Sequence, residues 1–186
     1  MISPDQQRTD VQTQISRAVI LLEESTDPRL VAKTGTNIGY AITGARDSSG
    51  VAAINGGFVV RDNCVFAGGP CEFGADAEMA RVVLTSTKFD PAMRCAATIR
   101  FFEPALRILE SMFLECAVAD RNRPQPPGVS TMDWGVASCC KDGVPEAVVD
   151  YGTSKETAVI HLFGEKPADV AGNIIMLSNR IIRIEL

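Results

Sequence analysis

The chain has 186 residues, 46% of them hydrophobic, and a formal net charge of −5. That length and composition suit one domain with a sizeable core, and the acidic balance speaks against the basic face that direct nucleic-acid binding needs. No apolar run approaches the roughly 20 residues that cross a bilayer and no leader of signal-peptide type opens the chain, so a cytoplasmic protein without a membrane partner is expected.

Residues 1–9 are polar and are expected to be loose. Between Asp10 and Glu24, Val11, Ile15, Ala18, Val19 and Leu22 recur at helical spacing, which predicts an N-terminal helix over 10–25. Its apolar stripe has to pack on the domain or on a second subunit, so a homodimer is among the expected arrangements. Asp27-Pro28 ends the helix. The core of the fold is expected over 36–186.

Asn37–Thr43 and Val51–Ile54 read as short strands, and Phe58–Ala67 as a hairpin turning at Asp62-Asn63. The least generic stretch follows, from Gly68 to Arg94. A glycine-broken turn opens a helix with Asp76 as its N-cap, Met79, Val82 and Val83 share its inward face, and the helix ends in the Asp90-Pro91 loop that carries Arg94. Backbone N–H groups at a helix head are unpaired, and glycines before them admit close approach, so Gly74, Ala75 and Asp76 are candidates for a pocket edge. A capped core helix after a turn is the plainer alternative.

Ala96–Phe102 reads as a buried strand, and Glu103-Pro104 starts a helix with Leu106, Leu109 and Phe113 on its core side. A strand near Glu115–Ala119 leads into a proline-stiffened loop over Asp120–Ser130. A helix is expected from Thr131–Trp134, strands over Ala147–Tyr151 and Thr157–Phe163, and a last helix from Pro167 carrying Val170, Ile174 and Leu177. Arg180–Leu186 fits either an extension of that helix or an edge strand. The order is mixed α/β. Six cysteines show no Cys-x-x-Cys pairing and read as buried free thiols rather than a metal site. The one histidine, His161, lies in an alternating strand without a ligand partner at suitable spacing and reads as structural. Trp134 reads as a core cap in preference to a ring-stacking residue.

Several runs, in order, resemble the ThiN family: Asn37-Ile38-Gly39-Tyr40-Ala41 with Gly44-Ala45-Arg46, Val51-Ala52-Ala53, Glu72-Phe73-Gly74-Ala75, Ala80-Arg81-Val82-Val83-Leu84, Asp90-Pro91-Ala92-Met93-Arg94 and Trp134-Gly135-Val136. Gly152-Thr153-Ser154-Lys155-Glu156 resembles that family's glycine-lysine-glutamate segment. The family comprises thiamine-phosphate synthase domains, often fused to a pyrimidine kinase, and ligand-sensing domains of archaeal thiamine regulators. The resemblance implies a three-layer α/β/α domain with a mixed sheet, similar to the class II aldolase scaffold. A metal-dependent aldolase is disfavoured, because its zinc site needs several histidines. The 36 residues before Asn37 are too few for a kinase or a complete helix-turn-helix domain.

The resemblance also implies a ligand site. Its expected residues are Asn37 and Tyr40 at a pyrimidine, Gly44, Ala45, Gly56, Gly57, Phe73, Gly74, Ala75, Asp76 and Glu78 around it, and Arg94, Thr98, Arg100 and Lys155. Arg94 suits a phosphate through parallel donors or an ion pair with Asp90. Thr98 and Arg100 share one strand face, and Lys155 is either a second phosphate cation or a solvated loop lysine.

Three departures matter. Gly57 stands where synthase members carry an arginine, Glu78 where they carry a histidine, and Thr98 where asparagine is usual. Glycine supplies no cation for a departing pyrophosphate, and an ionised glutamate only accepts hydrogen bonds. No catalytic residue is assigned. Two functions follow as expectations: a domain that binds thiamine phosphate or a related pyrimidine/thiazole phosphate without efficient turnover, or an active synthase joining hydroxymethylpyrimidine pyrophosphate to thiazole phosphate. A scaffold used only for assembly, resting on the apolar stripe of the N-terminal helix, is the third. No cofactor is expected, magnesium entering only with a pyrophosphate substrate.

Overall fold

The computed structural model describes residues 3–122 and 132–184. The first helix, α1, runs Pro4–Ser25, longer than the periodicity predicts. Ser3 caps it, its Oγ accepting from Gln6 N at 3.2 Å, and Pro4 in the first turn is already shaped for a helix. Residues 4–9 are therefore ordered helix and not a loose tail. Val11, Ile15, Ala18, Val19 and Leu22 are all buried within the chain itself, which removes the one motivation for a pure assembly scaffold.

A seven-stranded sheet follows, built from β1 (Asn37–Ala41), β2 (Val51–Ile54), β5 (Cys71–Phe73), β6 (Cys95–Arg100), β7 (Cys116–Val118), β8 (Ala147–Asp150) and β9 (Val159–Gly164). Its order is β5-β2-β1-β6-β9-β8-β7. Every neighbouring pair is antiparallel except β7 with β8, so the sheet is mixed. The hairpin β3 (Phe58–Arg61) and β4 (Cys64–Ala67) stands apart as a two-stranded sheet, with Asp62 and Asn63 both at positive φ in its turn, as a tight hairpin of the right twist requires. β5 lies inside the stretch that the sequence reads as a turn alone.

The period of two along the central strands sorts the core. Ile38, Tyr40, Ala97, Ile99, Ile160 and Leu162 join a cluster with α1, α3 (Glu103–Ser111) and α5 (Pro167–Ile184). Their alternates Ala41, Ala96, Val148 and Phe163 join a second cluster with α2 (Ala77–Phe89) and α4 (Trp134–Ser138). Gly39 lets α2 come close: a Cβ there would stand 2.8 Å from Met79 Cγ.

Two expectations need correcting. Phe113 is 94% exposed because α3 ends at Ser111 and Phe113 takes a left-handed backbone, φ 62°, so the helical spacing no longer holds there. Of the two alternatives for the chain end, the helix extension holds, residues 180–184 continuing α5. Cys64 is exposed, unlike buried Cys95 and Cys140; burial pushes the Cys140 thiol up to about 11. Most of the predicted loop over Asp120–Ser130, and Thr131 after it, lie outside the described residues.

Candidate functional site

The site is a cleft of about 780 Å³. Its walls are the Thr34–Asn37 segment, the Gly56-Gly57 turn, the head of α2, the turn after β7, the head of α4 and the facing side chains of β6, β8 and β9.

Asn37 and Asp76 build one wall. Asn37 Nδ2 donates to Ile54 O at 2.9 Å and to Asp76 Oδ2 at 2.8 Å, while its Oδ1 accepts from Ile54 N at 3.1 Å. A buried amide thus acts as a piece of ladder at the end of β1. Asp76 Oδ1 accepts from Met79 N at 2.9 Å, making the predicted N-cap of α2. Glu78 projects from the first turn of the helix into the cleft, as does Arg81 one turn on.

The turn at Ile54–Gly57 closes this wall and demands glycine. Gly57 has φ +64°, and a Cβ there would meet Thr36 O at 2.5 Å. An arginine at this position therefore requires a different backbone.

The opposite wall was not foreseen. Arg121 forks onto Asp150, Nε donating to Oδ1 at 2.7 Å and Nη2 to Oδ2, and Gly152 N adds a third bond at 2.9 Å. Burial pushes the Asp150 carboxyl up, but the Arg121 guanidinium and the Gly152 N–H more than offset it, leaving it below the usual carboxylate range. Asp133 caps α4, accepting from Val136 N at 3.0 Å, and its own N donates to Thr85 Oγ1 at 2.9 Å. Trp134, at the head of α4, is half-buried and lines the cleft.

His161 sits between these walls. β9 pairs with β6 so that His161 stands opposite Thr98, and Thr98 Oγ1 lies 2.8 Å from His161 Nδ1. Burial holds the imidazole below its ordinary pKa although Asp133 and Asp150 pull the other way. The ring is then neutral near pH 7. Nε2 makes no hydrogen bond with a described residue, and His161 lines the cleft.

Of the residues expected from sequence, Asn37, Gly56, Gly57, Ala75, Asp76, Glu78 and Thr98 line the cleft. The others do not. Tyr40 is buried on the α1/α5 side of the sheet, its hydroxyl accepting from Arg94 Nη2 at 2.8 Å. Gly44, Ala45 and Arg94 line a separate cavity. Phe73 lies under the Arg8 guanidinium, 3.7 Å from the ring centre, and Gly74, φ +77°, turns the chain into α2. Arg100 borders a small cavity with Phe102 and Ile181. Lys155 is exposed in the loop between β8 and β9.

A mixed α/β domain with one large, predominantly acidic cleft is the class that these features define. Within that class the chain belongs to the thiamine-phosphate synthase ThiN family, whose model matches residues 14–176. It is 29% identical over 164 residues to the bifunctional thiamine biosynthesis protein ThiDN of Methanocaldococcus jannaschii, covering 86% of this chain but only 38% of that longer protein. It is 26% identical to the thiamine-phosphate synthase ThiN of Methanothermobacter thermautotrophicus, covering 84% of this chain and 86% of the relative. Among solved structures, the C-terminal domain of phosphomethylpyrimidine kinase superposes with a TM-score of 0.82 at 28% identity, covering 91% of this chain and 99% of that domain. An L-fuculose 1-phosphate aldolase from Glaciozyma antarctica shares the fold at a TM-score of 0.56 and 8% identity, over all of this chain and 76% of the aldolase. No helix among the described residues is long and apolar enough to cross a membrane.

Proposed function

We propose that the chain binds thiamine phosphate, or a related pyrimidine/thiazole phosphate, in this cleft without efficient turnover. The observation that carries the reading is the sign of the cleft. Asp76, Glu78, Asp120, Asp133 and Asp150 line it against Arg81 and Arg121, and one of those arginines is already tied to Asp150. Such a lining favours a cationic thiazolium and disfavours a free pyrophosphate. The phosphate end of the ligand then faces Arg81 and the outer N–H groups of Arg121. The two apolar clusters on either side of the sheet suit a three-layer α/β/α arrangement of the class II aldolase kind, and the site would be cytoplasmic. Calorimetry with thiamine phosphate tests the reading: micromolar binding that weakens in Glu78→Gln supports it, and no heat at millimolar ligand removes it.

A second reading, an active thiamine-phosphate synthase, has its own observation in His161. A neutral imidazole with Nε2 open to the cleft is a group able to donate a hydrogen bond or move a proton at neutral pH, and it offers the chemistry that Glu78 lacks. Loss of one such stabilising donor typically slows a reaction by about two to three orders of magnitude. A coupled assay for thiamine phosphate decides it: product above a no-protein blank that falls in His161→Gln favours turnover.

A further inference from the structure

Away from the cleft, and sharing no lining residue with it, lies a cavity of about 370 Å³ bordered by Arg46, Lys88 and Arg94 together with Gly44, Thr87 and Pro91. Among the described residues no carboxylate lines it, in a chain whose formal charge is −5. Arg94 is held in place. Its Nη1 donates to Ala41 O at 2.9 Å, its Nη2 to Tyr40 Oη at 2.8 Å, and its guanidinium carbon lies 4.9 Å from the centre of the Tyr40 ring.

Those bonds occupy two of the five N–H donors of a guanidinium. The alternative reading of Arg94, an ion pair with Asp90, does not form: Asp90 Oδ1 instead accepts from Ala92 N at 2.9 Å, and neither Arg94 nor Arg46 has a carboxylate partner among the described residues. A half-buried, fixed guanidinium with donors to spare and no carboxylate partner among the described residues is a pre-organised place for an anion. The planar fork suits a tetrahedral oxyanion, and a second arginine and a lysine stand at the same cavity to neutralise its charge.

We propose that this cavity is a second binding site, for a phosphate-type oxyanion, with Arg94 as its fixed donor and Arg46 and Lys88 as its supporting cations. The site is independent of what the cleft binds. The anion comes either from free inorganic phosphate or from the phosphoryl end of an organic phosphate.

Amide spectra of the whole chain, titrated with sodium phosphate at constant ionic strength made up with chloride, test this directly. Saturating shifts at Gly44–Arg46 and Thr87–Arg94 that chloride alone does not produce are expected. Arg46→Ala with Lys88→Ala should weaken the response about tenfold or more, and Arg94→Lys, which keeps the charge and loses the fork, by a similar factor. These variants spare the anchoring of Tyr40 better than Arg94→Ala, and their folding is checked by thermal melting. Asp133→Asn, in the cleft, should leave the phosphate response unchanged, which separates this site from the cleft. Methyl phosphate binding as well as inorganic phosphate assigns the anion to an organic phosphate, and its exclusion assigns it to the free ion. Equal shifts with chloride, or an unchanged response in the Arg46/Lys88 variant, overturns the proposal.

Discussion

Asn37 and Asp76, 39 positions apart in sequence, are joined side chain to side chain at 2.8 Å, which fastens the end of β1 to the head of α2. The same carboxylate caps the helix through Met79 N. One residue therefore sets both the start of α2 and the position of the cleft wall that carries Glu78 and Arg81.

Asp76→Ala should cost about 1–2 kcal/mol of stability, from the lost cap and the one Asn37 Nδ2–H left without its acceptor. Asp76→Asn keeps an accepting oxygen for Met79 N and should cost less than half as much. Urea unfolding of the two variants beside the wild type measures the difference.

Arg121→Ala leaves the Asp150 carboxylate, whose side chain is only 3% exposed, with the Gly152 N–H alone. Because Arg121 itself is 59% exposed, the expected loss is about 1–3 kcal/mol near neutral pH, below that of a fully buried pair. The sign with pH follows from the lowered carboxyl of Asp150: the stabilisation is present above the unfolded carboxylate range near 3.9 and disappears as pH falls through the still lower folded value. The gap between variant and wild type should therefore be widest at pH 6–7 and close toward pH 3, as unfolding curves at several pH values will show.

His161 has its pKa lowered by burial, so the unfolded chain binds a proton that the folded chain refuses. Stability is complete above the unfolded value near 6.5 and falls as pH drops below it. His161→Gln should flatten this part of the profile between pH 7 and pH 5, and the measurement is the pH dependence of the urea midpoint.

An arginine placed here by Gly57→Arg should destabilise the chain. The left-handed backbone and the 2.5 Å approach to Thr36 O predict a loss of about 1–3 kcal/mol. Gly57→Ala should show most of the same loss, which assigns it to the backbone and not to the arginine's charge.

Much of the fold was legible because its signals are local. The spacing of Val11 to Leu22 gave α1, Asp76 gave the start of α2, and Asp62-Asn63 gave the hairpin turn. Half of the cleft was not legible, for a topological reason. Arg121, Asp133, Asp150 and His161 sit on four separated elements that only the β6-β9-β8-β7 order brings together, and no spacing along the chain reports that order. The apolar run Ala147–Val149 ending in a buried aspartate, and a lone histidine in a strand, were the available hints. Conversely, Tyr40, Arg94 and Arg100 belong to readable motifs, but strand alternation and strand ends send them to other faces of the domain.

The acidic cleft is proposed to hold a thiazolium-bearing phosphate and to reject free pyrophosphate. A competition titration measures it: thiamine phosphate is bound first, and magnesium pyrophosphate is then added at increasing concentration in the same buffer. Micromolar binding of thiamine phosphate that pyrophosphate does not displace, and that Glu78→Gln weakens, is the predicted result. Displacement by pyrophosphate at comparable concentration, or the absence of thiamine phosphate binding, contradicts it.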